Sequence, residues 1–322
     1  MKPRIVIVTP HLADANNGNW RTADRWRRML SDDYRAIVQA GWAPGAARCE
    51  VFIALHARKS HASIAAFRSA HPDRPIILIL TGTDLYKDLP TNAEAMQSLE
   101  MADALVVLQA DAVRFLPKPY RSKAKVIYQS SRLLVPAKRP VSILKCVTVG
   151  HLRDEKSPQT LFDAMDLLPP DIRFRIDHIG APLDRTLARH AHALEKRDSR
   201  YRYLGAKTHG ATRQAIRHAH LLVHPSQMEG GANVIAEAIT SRTAVLASRI
   251  SGNVGMLGSG HPGYFRVGDA ADLAAKLKRC AQAGHLVSRW IRLTDFERER
   301  FAPETERAAV QSLVHGLLKR ST

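Results

Sequence analysis

Cysteine is scarce in this sequence. Its three cysteines, Cys49, Cys146 and Cys280, lie far apart and give neither a disulfide framework nor a zinc-ligand spacing. Buried, reduced thiols are the expectation. Aromatic residues make up only 6% of the chain, too few to interleave with basic residues as a stacking surface for nucleic acid. Long apolar runs are missing as well. The run Ile76–Leu80 is typical, far short of the roughly 20 residues that span a bilayer. The short apolar run near the N-terminus stops at Pro10 and reads as a first strand, not as a signal peptide. These absences point to a cytoplasmic protein with no nucleic-acid partner and no membrane partner.

Positive charge is abundant. The 322 residues carry 48 Lys and Arg against 30 Asp and Glu, a formal net charge of +18. Such a field attracts anions. The cations are spread along the chain without a polybasic tail, so small phosphorylated substrates explain them at least as well as a polymer does. Apolar residues reach 45%, enough for a folded core.

Short β-rich runs alternate with helical patterns, the mark of a parallel, doubly wound α/β sheet. Strands are expected at Arg4–Thr9, Tyr34–Gln39, Val51–Leu55, Pro75–Leu80, Ala104–Leu108 and Lys125–Ile127, with helices such as Thr22–Leu30 and Ala110–Leu116 between them. The stretch Leu134–Pro140, with two prolines and two basic residues, reads as an interdomain linker. The alternation then restarts at Ile143–Val149 and runs to a helix at Ala271–Ala283. The reading is two Rossmann-like domains facing across a cleft. Residues 1–136 form an acceptor-side domain and 137–300 a donor domain. A last helix, 301–322, packs back toward the first domain.

The segment from His224 to Ile239 is the most informative. It runs from a strand end through a loop with Gly230 and Gly231 into a helix. Glycines allow close backbone approach, and a helix start offers unpaired N–H groups to a phosphate. Glu237, placed about two turns into that helix, has two acceptor oxygens suited to adjacent ribose hydroxyls. Glu229, Glu237 and the seven residues between them resemble the E-x7-E motif of GT-B glycosyltransferases, especially glycosyltransferase family 4. The Pro225-Ser226 flank is similar to that family too. The resemblance implies a GT-B fold and a nucleotide-sugar donor held by Ser226, Glu229, Gly230, Gly231, Ala232, Asn233 and Glu237. It also implies a basic loop on the diphosphate after the second domain's first strand, here Val149–Lys156. Lys156 matches the family's lysine. His151 stands where the family has arginine and Ser157 where it has glycine, so Arg153 is expected to supply the guanidinium. Such charge stabilisation needs no metal. The chain has no Asp-x-Asp motif of the metal-dependent type, and neither a metal nor any cofactor is expected. The glycines from 252 to 263 are read as a loop lining the ligand, not as a dinucleotide fingerprint. His218, His220 and His224 lack metal-ligand spacing and are read as structural.

In the first domain, the stretch opening at Asn16 supplies Gly18, Asn19, Thr22 and Arg25 as acceptor-side candidates. Two later loops follow strand ends, where doubly wound sheets bind ligands. One carries His56 and Arg58, the other Thr81, Thr83 and Asp84. His56 is the candidate proton carrier. With Glu229 and Lys156 it makes up the candidate catalytic set. Together, Gly18–Trp26, Ala54–His61, Leu80–Tyr86 and Glu229–Asn233 resemble the selenosugar synthases of selenoneine biosynthesis. That resemblance implies a UDP-sugar donor, UDP-GlcNAc or UDP-glucose, and selenophosphate as acceptor. The products would be a 1-seleno sugar, UDP and phosphate, with a functional link to selenophosphate synthetase. An ordinary family 4-like transfer to a hydroxyl is the alternative.

Overall fold

The computed structural model describes residues 2–10, 18–45, 49–89 and 91–320. The chain forms two compact units. One comprises the residues up to Gln129 together with those from Pro303 onward; the other is Ser130–Ala302.

The first unit is built from β1 (Arg4–Val8), α1 (Gly18–Leu30), β2 (Arg35–Gln39), β3 (Val51–Leu55), α2 (His61–Ala70), β4 (Ile76–Ile79), α3 (Ala93–Met101), β5 (Ala104–Val107) and β6 (Ala124–Val126). All six strands are parallel, in the order β2-β1-β3-β4-β5-β6. Every residue of β3 and β4 is buried. This is why these strands read as continuous apolar runs rather than as an alternating pattern. The expected helix at 110–116 is a 3-10 turn, Ala110–Phe115.

The second unit contains β7 (Leu144–Val149), α4 (Pro158–Asp166), β8 (Phe174–Ile179), α5 (Arg185–Arg197), β9 (Tyr201–Gly205), α6 (His209–His218), β10 (Leu221–His224), α7 (Asn233–Thr240), β11 (Ala244–Ser248), α8 (Ser251–Leu257), β12 (Tyr264–Phe265), α9 (Ala270–Gln282) and α10 (Gly284–Asp295). Its order, β12-β11-β10-β7-β8-β9, is the Rossmann order with β7 as first strand. The proline-rich stretch 134–140 belongs to this unit and is tied to its surface. Leu134 N donates to Thr240 O at 2.9 Å, and Arg217 Nε to Val135 O at 2.6 Å. The division between units falls earlier, after Gln129.

α11 (Pro303–Leu318) completes the first unit. It adds Val310, Val314 and Leu317 to the core formed by α1 and the inner strands. Its Glu306, with a fully buried side chain, receives Trp26 Nε1 at 3.0 Å and pairs with Arg25 Nε at 2.8 Å. A buried carboxylate needs such partners, because desolvation without them costs several kcal/mol.

Candidate active site

In a doubly wound sheet, ligands bind beyond the carboxyl ends of strands where the winding reverses. In the second unit that reversal lies between β7 and β10. The loops after these two strands meet there. Lys156, from the β7 loop, reaches Glu229, from the β10 loop, with Nζ 2.6 Å from Oε1. His224 Nε2 lies 3.2 Å from the same oxygen. Burial acts to raise the Glu229 pKa, but the Lys156 charge and then His224 outweigh it and hold the carboxyl well below its ordinary 4.5. Glu229 is therefore a carboxylate at any working pH. His224, read as structural from sequence, is a neighbour of this carboxylate.

The loop is fixed from below. Ser226 is buried and accepts from Ser248 Oγ through its carbonyl. Asn253 Nδ2 in turn donates to Ser248 O at 2.9 Å. Gly252 sits so close that a Cβ there would lie 2.0 Å from the Glu229 carbonyl oxygen. The glycine-rich stretch 252–263 is thus partly helix α8 and buttresses the loop. Gly258, Gly260 and Gly263 do carry a Gly-x-Gly-x-x-Gly spacing, but they lie between a helix and a strand, the reverse of the strand-to-helix context a dinucleotide requires.

Gly230 and Gly231 lead to Ala232, and α7 starts at Asn233 with no side-chain cap on its first turn. Its N–H groups are open to an anion. Glu237 lies a little over one turn into α7, nearer its start than expected. The residue is 7% exposed and its Oε1 lies 2.9 Å from Nε2 of the exposed His209. Arg153 is half-exposed, at the start of the 3-10 turn Asp154–Lys156, with Glu155 at 3.8 Å. Ser157 has φ 47° and ψ 50°, a left-handed conformation that favours glycine. Its Oγ bonds Thr160 Oγ1 at 2.8 Å and receives Gln227 Nε2 at 3.0 Å. Those bonds offset the strain and link the β7 and β10 loops.

The first unit's sheet reverses between β1 and β3. The opening of the loop after β1, including Asn16 and Asn17, lies outside the described residues. Gly18 and Asn19 begin α1. Thr22 and Arg25 are engaged within the first unit. Thr22 is buried, donates to Gly18 O at 2.9 Å and accepts from Gln129 Nε2. Arg25 is committed to Glu306. Both hold α1 in place, because the helix must bury that face.

Beyond β3, His56 is 3% exposed and has φ 76°. Its Nδ1 pairs with Asp84 Oδ1, and its Nε2 lies 3.8 Å from Asp88 Oδ2. Asp84, itself fully buried, accepts from Thr81 N at 2.8 Å and Thr81 Oγ1 at 2.9 Å through its other oxygen. Arg58 Nε lies 3.1 Å from Asp88 Oδ2. Thr83 is exposed at the start of the π-helical turn Asp84–Asp88. An ionised Asp84 can only accept, so Nδ1 of His56 carries the proton and Nε2 is the basic nitrogen. Asp88 went unnoticed in the sequence; only the turn after β4 brings it to His56. Among the described residues, His56, Asp84 and Asp88 form the one group with ligand atoms close enough for a cation, all within 4.8 Å. Arg58 already supplies positive charge there.

Residues 135–293 match the family described as Glycosyl transferases group 1. None of the curated proteins matches the chain in sequence. Solved structures do match it in fold. Alr3699/HepE from Anabaena, crystallised with UDP and glucose, superposes with a TM-score of 0.75 at 13% identity, covering 98% of this chain and 100% of its own. Sucrose-phosphate synthase from Thermosynechococcus elongatus gives 0.75 at 14%, covering 99% and 100%. A glycosyltransferase from Rickettsia africae gives 0.73 at 12%, covering 99% of each chain. The fold is that of the GT-B glycosyltransferases. No helix among the described residues is long and apolar enough to cross a membrane.

Proposed function

We propose that this GT-B chain, with its group 1 segment at residues 135–293, takes a glycosyl group from a UDP-sugar and joins it to selenophosphate. The single observation that carries the donor half is the Lys156–Glu229 pair at the β7/β10 reversal, beside the uncapped start of α7. In this reading the α7 N–H groups, Lys156 and Arg153 hold the diphosphate, Glu237 holds the ribose, and Glu229 lies against the sugar. Ser226, Gly230, Gly231, Ala232 and Asn233 complete that surface. Lys156 leaves Glu229 for the diphosphate as the donor binds, which places positive charge where the leaving group gains negative charge. The UDP and glucose held by the Anabaena structure support a UDP-sugar.

For the acceptor, support comes from the four segments that resemble selenosugar synthases and from the cations Arg58 and Lys59 beside His56. Selenium attacks the anomeric carbon, the bond to UDP breaks, and water takes the phosphoryl group from selenium. The products are a 1-seleno sugar, UDP and phosphate. One observation favours the alternative, transfer to a hydroxyl. The His56–Asp84 pair is a ready general base, which a hydroxyl needs and an ionised selenium does not. A donor screen over UDP-GlcNAc and UDP-glucose, with selenophosphate and read by mass spectrometry, tests the proposal. A product with a selenium–carbon bond is expected. UDP release without such a product, restored by sugar alcohols, overturns selenophosphate and leaves the donor assignment standing.

A further inference from the structure

The donor-site groups account for only part of the positive charge. A separate cavity of about 140 Å³ opens where α9 meets α10. It shares no residue with the Lys156, Glu229 and Glu237 constellation. Three cations line it: Lys276 and Arg279, one turn apart on α9, and Arg289 from α10. None of the three makes an ion pair or a side-chain hydrogen bond among the described residues. Lys276 is half-buried and Arg279 and Arg289 are exposed, so water screens part of their mutual repulsion and a bound anion would offset the rest.

The rest of the lining is apolar. Cys280 is 1% exposed, and burial pushes its thiol up to about 12 against the opposing pull of Lys276 and Arg279, so it adds no negative charge. Leu286 and Trp290 form a wall. Trp290 is 6% exposed, and its indole N–H donates to no group among the described residues. Behind it, His261 packs on the indole with ring centroids 6.0 Å apart, which fixes the ring. The Trp290 indole N–H therefore stands, like the three cations, without a protein partner among the described residues.

We propose that this cavity binds a phosphoryl group, as inorganic phosphate or as a compact phosphate ester. Two guanidinium forks match phosphate oxygens in geometry and charge. Size sets the upper limit. A cavity of about 150 Å³ takes one benzene-sized group, so a nucleoside diphosphate does not fit and the site is not a second donor site.

Tryptophan fluorescence of the full chain tests this, with saturating UDP present to fill the donor site. Inorganic phosphate and glycerol 3-phosphate are titrated separately, against sodium chloride at equal ionic strength. A saturable change is expected with the phosphates, lost in Trp290→Phe. Arg279→Ala/Arg289→Ala should weaken binding at least tenfold with an unchanged circular dichroism spectrum. If that double variant does not fold, Lys276→Gln and Arg289→Gln singly carry the test. Tighter binding of the ester places its body on the apolar wall, and equal binding confines recognition to the phosphoryl group. Either result supports the site. A response that chloride reproduces, that UDP abolishes, or that the variants leave intact overturns it.

Discussion

The two units solve the same problem of burying charge in different ways. Beyond β7 and β10, Lys156 and Glu229 keep 21% and 11% of their side-chain surfaces exposed and hold each other across two loops. Beyond β3 and β4, His56 and Asp84 keep 4% and 0%, and His56 is held in a left-handed conformation. The first arrangement can exchange partners at lower cost, because it stays partly open to water. The second cannot, because any displaced group would be left buried and unpaired. Charge beyond β7 and β10 is therefore suited to binding and release. Charge in the first unit is suited to holding one nitrogen in one direction.

Four changes break or sharpen that contrast. The largest effect is expected from Lys156→Ala, which removes the cation from both Glu229 and the proposed diphosphate. Steady-state kinetics should show kcat/KM for the UDP-sugar down by about 10²–10³-fold. Thermal denaturation should show a loss of about 1–3 kcal/mol, because Glu229 is left beside His224 alone. Equal kinetics would remove Lys156 from the donor site.

Acid should weaken the second unit before the first. His178 lies under the β7 loop, with Nε2 3.2 Å from Gly150 O, and burial lowers its pKa from 6.5 to about 4. A folded-state pKa below the unfolded one means the unfolded chain binds the proton first. The stabilisation is complete above pH 6.5 and is lost as pH falls toward 4, about 3 kcal/mol in all. Below about pH 4.5 the depressed carboxyl of Glu229 adds a loss of the same sign. Urea denaturation from pH 7 to 4 should show this slope in the wild type and a flatter one in His178→Gln. Matching slopes would place the acid sensitivity elsewhere.

Asp84→Asn tests the rigid side. Loss of the carboxylate frees the His56 tautomer, and kcat should drop about 10–100-fold with little change in donor KM and a shifted pH profile. A KM effect alone would make Asp84 a packing residue. Gly252→Ala tests how firmly the β10 loop is seated. The new methyl meets the Glu229 carbonyl, so the loop must move, at a cost of about 1–3 kcal/mol and a raised donor KM. An unchanged melting temperature would mean that the loop yields freely.

The contrast also marks what the sequence could convey. Glu229, Glu237 and the glycines between them sit in one continuous segment, so their spacing is visible in the chain. Burial is written in apolar runs, which is why β3 is legible to the residue. Gly252 acts on Glu229 through space, and no local pattern announces it. Asp88 reaches His56 only through a π-helical turn. Thr22 and Arg25 have partners that the sequence does not announce. They follow Gly18 at the opening of α1, but their partners Gln129 and Glu306 lie far along the chain. Ser157 is a departure from the glycine of the resembling family, yet its backbone keeps the left-handed form and its hydroxyl compensates.

The return of α11 to the first unit has a consequence for synthesis. Val310, Val314 and Leu317 complete a core whose other members are made among the first 127 residues. A ribosome holds the residues made last in its exit tunnel, so this helix emerges only after the whole second unit has. The second unit, continuous from Ser130 to Ala302, can close while translation proceeds. The unit made first is therefore the last to finish, and until then Trp26 and Arg25 wait without Glu306. Chaperone binding to nascent chains should fall on the first unit and end when Glu306 arrives.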